Sequence, residues 1–388
     1  MRIAEIRALW GGNSRVYTLH KMKDENKKIK ELGYDEFFES NREKLALQDY
    51  AMARVIAGNK GMYKVVSQNG EFLAKITGKL MFVAETEEDY PVVGDWVAIK
   101  ELENGQAVIS AVLPRKTVIK RRHGDKNRAG EKNGTQIIGT NINEAFIVES
   151  IDRDFNLNRF ERYFSVLNEG GVKPAIIINK IDLISKEELG EKLARLKERF
   201  GDIGIIATST IDNSGLEELK AYLSRGKTYC FLGSSGVGKS TLINKLLGTS
   251  IIETGDISLC SDRGKHITTS RHMYFLQNGG IVIDNPGMRE VGIISVSGVD
   301  NLFTEITGLA KDCKYNDCTH VHEPGCNVLE ELRAGNLDEE KYSNYINLKK
   351  EAENYNMASY ERRKADRQFG KFIKKAKKEL KKFKGEEK

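Results

Sequence analysis

The stretch Gly233-Ser-Ser-Gly-Val-Gly-Lys239-Ser240 carries the pattern G-x-x-x-x-G-K-[ST], a residue set suited to holding a polyphosphate. Glycines at 233, 236 and 238 let the backbone turn tightly and aim its N–H groups inward. A helix starting there adds its positive end. Ser234, Ser235 and Val237 complete the cradle. Lys239 is spaced to reach the β/γ-phosphates, the Ser240 hydroxyl to sit on Mg²⁺, and Thr241 belongs to the same nucleotide-binding set.

Four further segments supply the rest of a nucleotide site. Asn179-Lys-Ile-Asp182 follows the apolar run Pro174 to Ile178. The Asp182 carboxylate is an acceptor pair that matches the N1–H and N2–H₂ donors of guanine and offers nothing useful to adenine. Asn179 adds a side-chain hydrogen bond, and the Lys180 stem covers the base plane. In Ala207-Thr-Ser-Thr210, at the end of the next strand, Thr208 and Ser209 lie where such nucleotide-binding domains carry a second base-contacting loop. Downstream, Arg263-Gly-Lys-His-Ile-Thr-Thr269 reads as a mobile switch offering Thr268 or Thr269 to Mg²⁺ and the γ-phosphate. Gly280-Ile-Val-Ile-Asp284-Asn-Pro-Gly287 is an apolar strand ending in D-x-P-G, with Asp284 holding Mg²⁺ through water and the Gly287 N–H meeting the γ-phosphate. Met288 stands where many GTPases place a water-orienting glutamine, and a thioether cannot do that work. His266 is the nearest substitute, or else a solvent-facing loop histidine. Lys239, His266 and Gly287 are therefore the catalytic candidates.

A second chemistry lies beyond residue 300. Cys313-x4-Cys318-x-His320-x5-Cys326 brings three thiolates and an imidazole together around the turn Glu323-Pro-Gly325. Four such ligands suit a closed, structural Zn²⁺ site, with His322 as the competing imidazole. Cys230 and Cys260 lie outside it.

The elements that must position these residues follow from periodicity. Five short alternating runs, Ala53–Ala57, Met62–Val66, Glu71–Ile76, Val92–Ile99 and Gln106–Val112, predict a five-stranded OB-like barrel. Arg54, Lys64, Lys75 and Lys79 with Tyr63, Phe72 and Trp96 either form a nucleic-acid face on it or, for the aromatics, fill it. From Asn143 onward, strands alternate with helices, predicting a parallel sheet with helices on both faces. The expected layout is an N-terminal extension (1–48), the barrel (49–118), a basic linker (119–135), a P-loop GTPase domain (136–300), a zinc-binding helical domain (301–340) and a basic helical tail (341–388). Base-reading segments precede the phosphate loop, the reverse of the ordinary order, so the GTPase domain is circularly permuted. Such a change is physically cheap when a domain's termini lie close together.

Composition bounds the partners. The net charge is +6 and 30% of residues are charged. Glu361 to Lys388 holds 13 Lys/Arg against 5 Asp/Glu, an excess larger than the charge of the whole chain. That tail suits a polyphosphate such as RNA, or is a solvated helix that binds nothing. No apolar run approaches the roughly 20 residues that span a bilayer. Five cysteines, three beside a histidine, fit a reducing compartment, and the expected location is cytoplasmic.

Together, permuted N-K-x-D, phosphate loop and D-x-P-G, with Val93-Gly-Asp-Trp-Val97 before them and Cys318-Thr-His-Val-His-Glu-Pro-Gly-Cys326 after, closely resemble the RsgA (YjeQ) family of ribosome-associated GTPases. The resemblance runs from about residue 50 to 330. It implies a monomer that acts on the small (30S) ribosomal subunit and its 16S rRNA late in maturation, with GTP/GDP, Mg²⁺ and one Zn²⁺, and hydrolysis stimulated by that subunit. His266 matches the histidine of the family's switch. Ile267 and Asn285 depart from the family's usual threonines. The alternative is a nucleotide-gated RNA-binding factor whose turnover is incidental.

Overall fold

In the computed structural model, residues 25–59, 61–123, 134–152, 155–250, 252, 271–285, 292–293 and 295–353 are described. Alternating apolar residues drive the first five strands to close on themselves. β1 (Ala51–Asn59), β2 (Met62–Ser67), β3 (Gly70–Ile76), β4 (Trp96–Leu102) and β5 (Gln106–Val112) run in the order β1-β2-β3-β5-β4, and β4 returns to pair with β1. The β1–β4 register places Arg54 opposite Trp96 and Ala51 opposite Ile99. Val55, Val65, Val97, Ile99 and Ile109 fill the interior and are fully buried.

The expected fourth strand begins four residues early. Val92 to Asp95 is instead a loop, because the Asp95 carboxylate turns back on it. That carboxylate accepts from the Val92 N–H at 2.9 Å, from Arg115 Nη2 at 2.8 Å and from Thr140 Oγ1 at 2.6 Å. Gly94 takes φ +100° here, and a Cβ on it would lie 2.1 Å from the Thr140 carbonyl oxygen. Only glycine fits.

The N-terminal segment also packs on the barrel. Helix α1 (Glu25–Glu31) leads into α2 (Glu36–Lys44), which Asp35 caps by accepting from the Phe37 N–H. Tyr34 and Phe38 rest on the Trp96 ring, with centroids at 4.8 and 5.8 Å. Arg54, only 1% exposed, donates to the carbonyls of Leu32 (2.6 Å), Asn141 (3.0 Å) and Gly94 (3.3 Å). One guanidinium thus ties the N-terminal segment, the barrel and the entry to the next domain. Burial pulls its pKa down to about 9, with Asp95 opposing. Of the seven barrel residues considered for a nucleic-acid face, Arg54, Tyr63 and Trp96 are buried, and Lys64 is paired with Glu71 at 2.7 Å. Lys75 and Lys79 remain exposed, and Phe72 half-buried.

After the barrel, helix α3 (Gly78–Val83) having intervened between β3 and β4, strands β6 (Val118–His123) and β7 (Gly134–Thr140) pair as a two-stranded sheet that takes in both ends of the expected linker, 119–135. The α/β rhythm follows: β8 (Glu144–Ser150), α4 (Leu157–Glu169), β9 (Lys173–Asn179), α5 (Lys186–Phe200), β10 (Ile205–Thr208), α6 (Leu216–Tyr222), β11 (Thr228–Leu232), α7 (Lys239–Leu247), β12 (His272–Phe275) and β13 (Ile281–Asp284). The sheet order is β10-β9-β8-β11-β13-β12, parallel except for β12. Continuous apolar strands mark a sheet buried on both faces; every residue of β8 and of β11 is buried. Phe146, Val148, Ile177, Phe231 and Val282 pack against Leu219 of α6 and Leu242, Ile243 and Leu246 of α7. The phosphate-loop strand β11 lies in mid-sheet, between strands that precede and follow it in sequence, as the permuted order requires.

A second compact unit contains α4 residues 158–169 and the described residues of 121–136 and 292–353. It includes α8 (Val296–Leu302), α9 (Thr304–Leu309), α10 (Asn327–Arg333) and a helix α11 over 339–353. α4 is held to α11 by Arg162–Glu351 (2.8 Å) and by Asn344 donating to Glu161 (2.5 Å). Gly298 of α8 sits against the Ser165 carbonyl, where a Cβ would come within 2.7 Å.

Candidate functional site

β11 ends at Leu232 and the chain bends through 233–238 before α7 begins at Lys239. The bend uses positive φ at Gly233 (+144°), Gly236 (+85°) and Gly238 (+97°). A Cβ at Gly233 would meet the Val148 carbonyl oxygen at 2.2 Å, and one at Gly238 the Asn179 Nδ2 at 2.3 Å. The loop is therefore pressed onto the ends of β8 and β9. Ser234 and Ser240 are half-buried, Ser235 exposed and Val237 buried. Thr241 occupies the first turn of α7, half-buried.

Lys239 is 6% exposed and donates to the carbonyls of Gly233 (2.8 Å) and Ser234 (2.7 Å). Burial pulls its pKa down to about 8, while the carboxylates of Asp284 and Glu149 oppose that fall. Its ammonium is thus held by the carbonyls of the loop itself. Asp284, at the end of β13, stands in register with Phe231 on the phosphate-loop strand. Among the described residues its Oδ1 is buried without a hydrogen-bond partner, and desolvation raises its pKa against the pull of Lys239. A buried acceptor with no donor, beside a buried ammonium, fits a site that takes up a hydrated cation.

The base-reading segments are wired to this cradle. Asn179, fully buried at the end of β9, donates from Nδ2 to the Val237 carbonyl at 2.8 Å and accepts from Thr208 Oγ1 at 3.0 Å. Ser209 donates to Asp182 Oδ1 at 2.5 Å and accepts from the Ile211 N–H. Lys180 takes φ +63°, with Nζ 3.7 Å from the Asp152 carboxylate. Four of the five segments that sequence spacing proposed, all but 263–269, are thus brought together at the C-terminal ends of β9, β10, β11 and β13. His266, Ile267, Thr268, Thr269, Gly287 and Met288 lie outside the described residues, as does Cys260. Cys230 is buried, and burial pushes its thiol pKa up to about 12. Its sulfur accepts from Asn285 Nδ2 at 2.8 Å, a contact no motif signalled.

In the C-terminal unit the atoms Cys313 Sγ, Cys318 Sγ, Cys326 Sγ and one His320 ring nitrogen all lie within 4.8 Å of one another. His320 Nδ1 is 3.6 Å from both Cys313 Sγ and Cys326 Sγ, and those sulfurs are 3.8 Å apart. A tetrahedron with Zn–S near 2.3 Å and Zn–N near 2.05 Å has edges of about 3.6 and 3.8 Å. The donor set and its spacing fit zinc, with Nδ1 as the nitrogen ligand. His320 reaches this position through φ +61°. His322 is exposed and outside the cluster. Sequence reading passed over Glu323 as mere turn. Its carboxylate accepts from the hydroxyl and N–H of Thr319 and the N–H groups of Val321 and His322. The Thr319 hydroxyl, first among these, holds the carboxyl well below its usual range. The clue was a lone carboxylate inside the ligand loop.

Comparison with known proteins follows this geometry. Residues 112–294 match the RsgA GTPase family. Small ribosomal subunit biogenesis GTPase RsgA 2 of Lactiplantibacillus plantarum is 40% identical over 321 residues, 82% of this chain and 89% of that protein. The corresponding RsgA 1 of Bacteroides thetaiotaomicron is 33% identical over 360 residues, 92% of this chain and 99% of that protein. Among solved structures, YjeQ from Thermotoga maritima aligns with a TM-score of 0.58 and 27% identity, covering 78% of this chain and 98% of that one. YloQ, a circularly permuted GTPase, aligns at 0.56 and 19% identity over 79% of this chain and 96% of that one, a likeness of fold.

Proposed function

Since the chain belongs to the RsgA GTPase family and is a GTP hydrolase, we propose that it binds the small ribosomal subunit through rRNA and couples Mg²⁺-dependent GTP hydrolysis to late subunit maturation. The observation that carries this reading is the hydrogen bond from Asn179 to the Val237 carbonyl. It joins guanine selection and phosphate binding into one rigid unit. Relatives named as small ribosomal subunit biogenesis GTPases over most of the chain supply the partner. The exposed Lys75 and Lys79 and the basic tail supply charge for rRNA. Among the described residues no helix is long and apolar enough to cross a membrane, and a cytoplasmic monomer is the form we propose. The six-segment layout given above is retained as the domain scheme.

In this reading Asp182 and Asn179 hold guanine, Lys180 covers its face, and Thr208 and Ser209 fix the two side chains that read the base. Backbone N–H groups of 233–238 and Lys239 take the β- and γ-phosphates, with Thr241 in the first turn behind them. To do so, Lys239 exchanges its bonds to the Gly233 and Ser234 carbonyls for phosphate oxygens. Ser240 and Asp284, with Thr268 or Thr269, would hold Mg²⁺, which would supply positive charge against the phosphates. Water attacks the γ-phosphorus as the bridging bond to the β-phosphate breaks, and Lys239 and the Gly287 N–H stabilise the charge that develops. His266 orients that water in place of the absent glutamine. Cys313, Cys318, His320 and Cys326 would hold a structural Zn²⁺.

The test is GTP turnover titrated with isolated small subunits, with and without Mg²⁺. Turnover should be slow alone, because Met288 orients no water and His266 is set on it only with subunits bound, and should rise at least about tenfold when they are added. Subunit binding without any rise in turnover would instead support the nucleotide-gated RNA-binding factor.

A further inference from the structure

The β12–β13 hairpin joins the nucleotide site to the barrel. On one side His272 of β12 stands opposite Asp284. On the other side the same residue stands opposite Ala57 of barrel strand β1. Ala57 in turn faces Lys64 on β2, and Lys64 faces Leu73 on β3. A single cross-strand row therefore runs from the Asp284 carboxylate into the barrel, and neighbours in such a row share one face of the sheet. Burial of the His272 ring, and after it the Lys64 charge, lowers its pKa. Its ring also lies 6.3 Å from that of Tyr274.

The barrel has a second attachment. The Val55 carbonyl accepts from the Gly94 N–H at 2.9 Å, the Val93 carbonyl accepts from the Thr140 N–H, and Arg54 bonds the Asn141 carbonyl. With no room for even a methyl group between Gly94 and Thr140, this contact cannot slide. A displacement of β12 therefore cannot swing the barrel as a body and must be taken up within β1. The place to take it up exists: β1 changes register against β2 between Val55 and Ala57, a bulge beside the residue that pairs with His272.

We propose that β12 transmits the state of the nucleotide site to the barrel, passing a shift at Asp284 through His272 to Ala57 and into the β1 bulge. The proposal rests on the functional reading above, because the driving event is the arrival of a donor at Asp284. That side chain has an unpartnered buried oxygen, which costs free energy until Mg²⁺-bound water or another donor meets it. The two states are thus an unsatisfied and a satisfied Asp284. The consequence is that the β1–β2 region of the barrel, where Lys64 sits, changes with bound nucleotide, while β4 and β5 do not.

The experiment is hydrogen exchange on the full chain, nucleotide-free and with Mg²⁺ plus GDP or a non-hydrolysable GTP analogue. Exchange at 55–58 should change by about fivefold or more between the nucleotide-free protein and the Mg²⁺–analogue complex, with β5 within about twofold. His272→Ala should bind the analogue within about threefold of wild type yet lose the difference at 55–58. Analogue binding by wild type without any change in β1 would overturn the coupling and leave the GTPase reading intact. A full β1 response in His272→Ala would overturn the route through His272. If wild type fails to bind the analogue, the guanine-nucleotide reading falls, and the coupling with it. Should His272→Ala not fold, the wild-type comparison alone decides.

Discussion

Asn179 offers the sharpest test of the site because its side chain does two structural jobs before any nucleotide arrives. Replacing it with alanine removes the donor to the Val237 carbonyl and the acceptor for Thr208 Oγ1, and residues 179, 208 and 237 are all buried to within 1%. Each stranded buried group costs about 1–3 kcal/mol. Partial relaxation of the loop reduces the pair to about 2–4 kcal/mol in the nucleotide-free protein. Thr208→Val breaks only the second bond and should cost about 1 kcal/mol. Nucleotide binding suffers separately, since the phosphate loop is no longer held against β9 and the guanine contact is gone. A loss of about 1.4–2.8 kcal/mol corresponds to roughly 10- to 100-fold weaker GDP binding. Urea unfolding without nucleotide gives the first quantity and fluorescence titration with GDP the second. A stability within about 0.5 kcal/mol of wild type, together with GDP affinity within about twofold, would refute the claim that this residue joins the two halves of the site.

Other outcomes follow from the same structure. Asp182→Asn exchanges an acceptor pair for a donor and an acceptor, so preference should move from guanine to xanthine nucleotides by at least about tenfold, read by competition binding. Lys239 has a folded pKa near 8, below its unfolded value. The unfolded chain then binds more protons between about pH 8 and 10.4, so nucleotide-free stability should rise through that window. Lys239→Met should lack that rise when denaturation midpoints are compared pH by pH. Purified protein should contain one zinc per chain, and Cys313→Ser should lose it, with α10 and α11 showing faster hydrogen exchange; full zinc retention would remove the metal assignment. Gly94→Ala should cost more than about 3 kcal/mol, since its Cβ would overlap the Thr140 carbonyl at an unfavourable positive φ.

What the sequence displayed and what it concealed differ in physical kind. The phosphate loop, Asn179 to Asp182 and the Cys313 to Cys326 cluster are local. Their chemistry depends on spacing along a few residues, so pattern alone locates them. The α/β elements were legible for a similar reason: buried parallel strands such as β8 and β11 are apolar along their whole length. The fourth barrel strand was misjudged because Val92 to Ile99 has strand composition throughout. Its first half is held as a loop by Arg115 and Thr140, residues far along the chain. Arg54 was read as a surface cation because arginine is seldom buried, yet three carbonyls from separate segments satisfy it. The β12–β1 pairing is harder still. It joins strands more than 200 residues apart through one residue pair, and neither strand's composition requires it. A permuted order makes such contacts consequential. With the base-reading segments moved ahead of the phosphate loop, β12 and β13 come last in the GTPase sheet. The barrel that opens the chain then meets the sheet at its end, beside the carboxylate expected to respond to Mg²⁺.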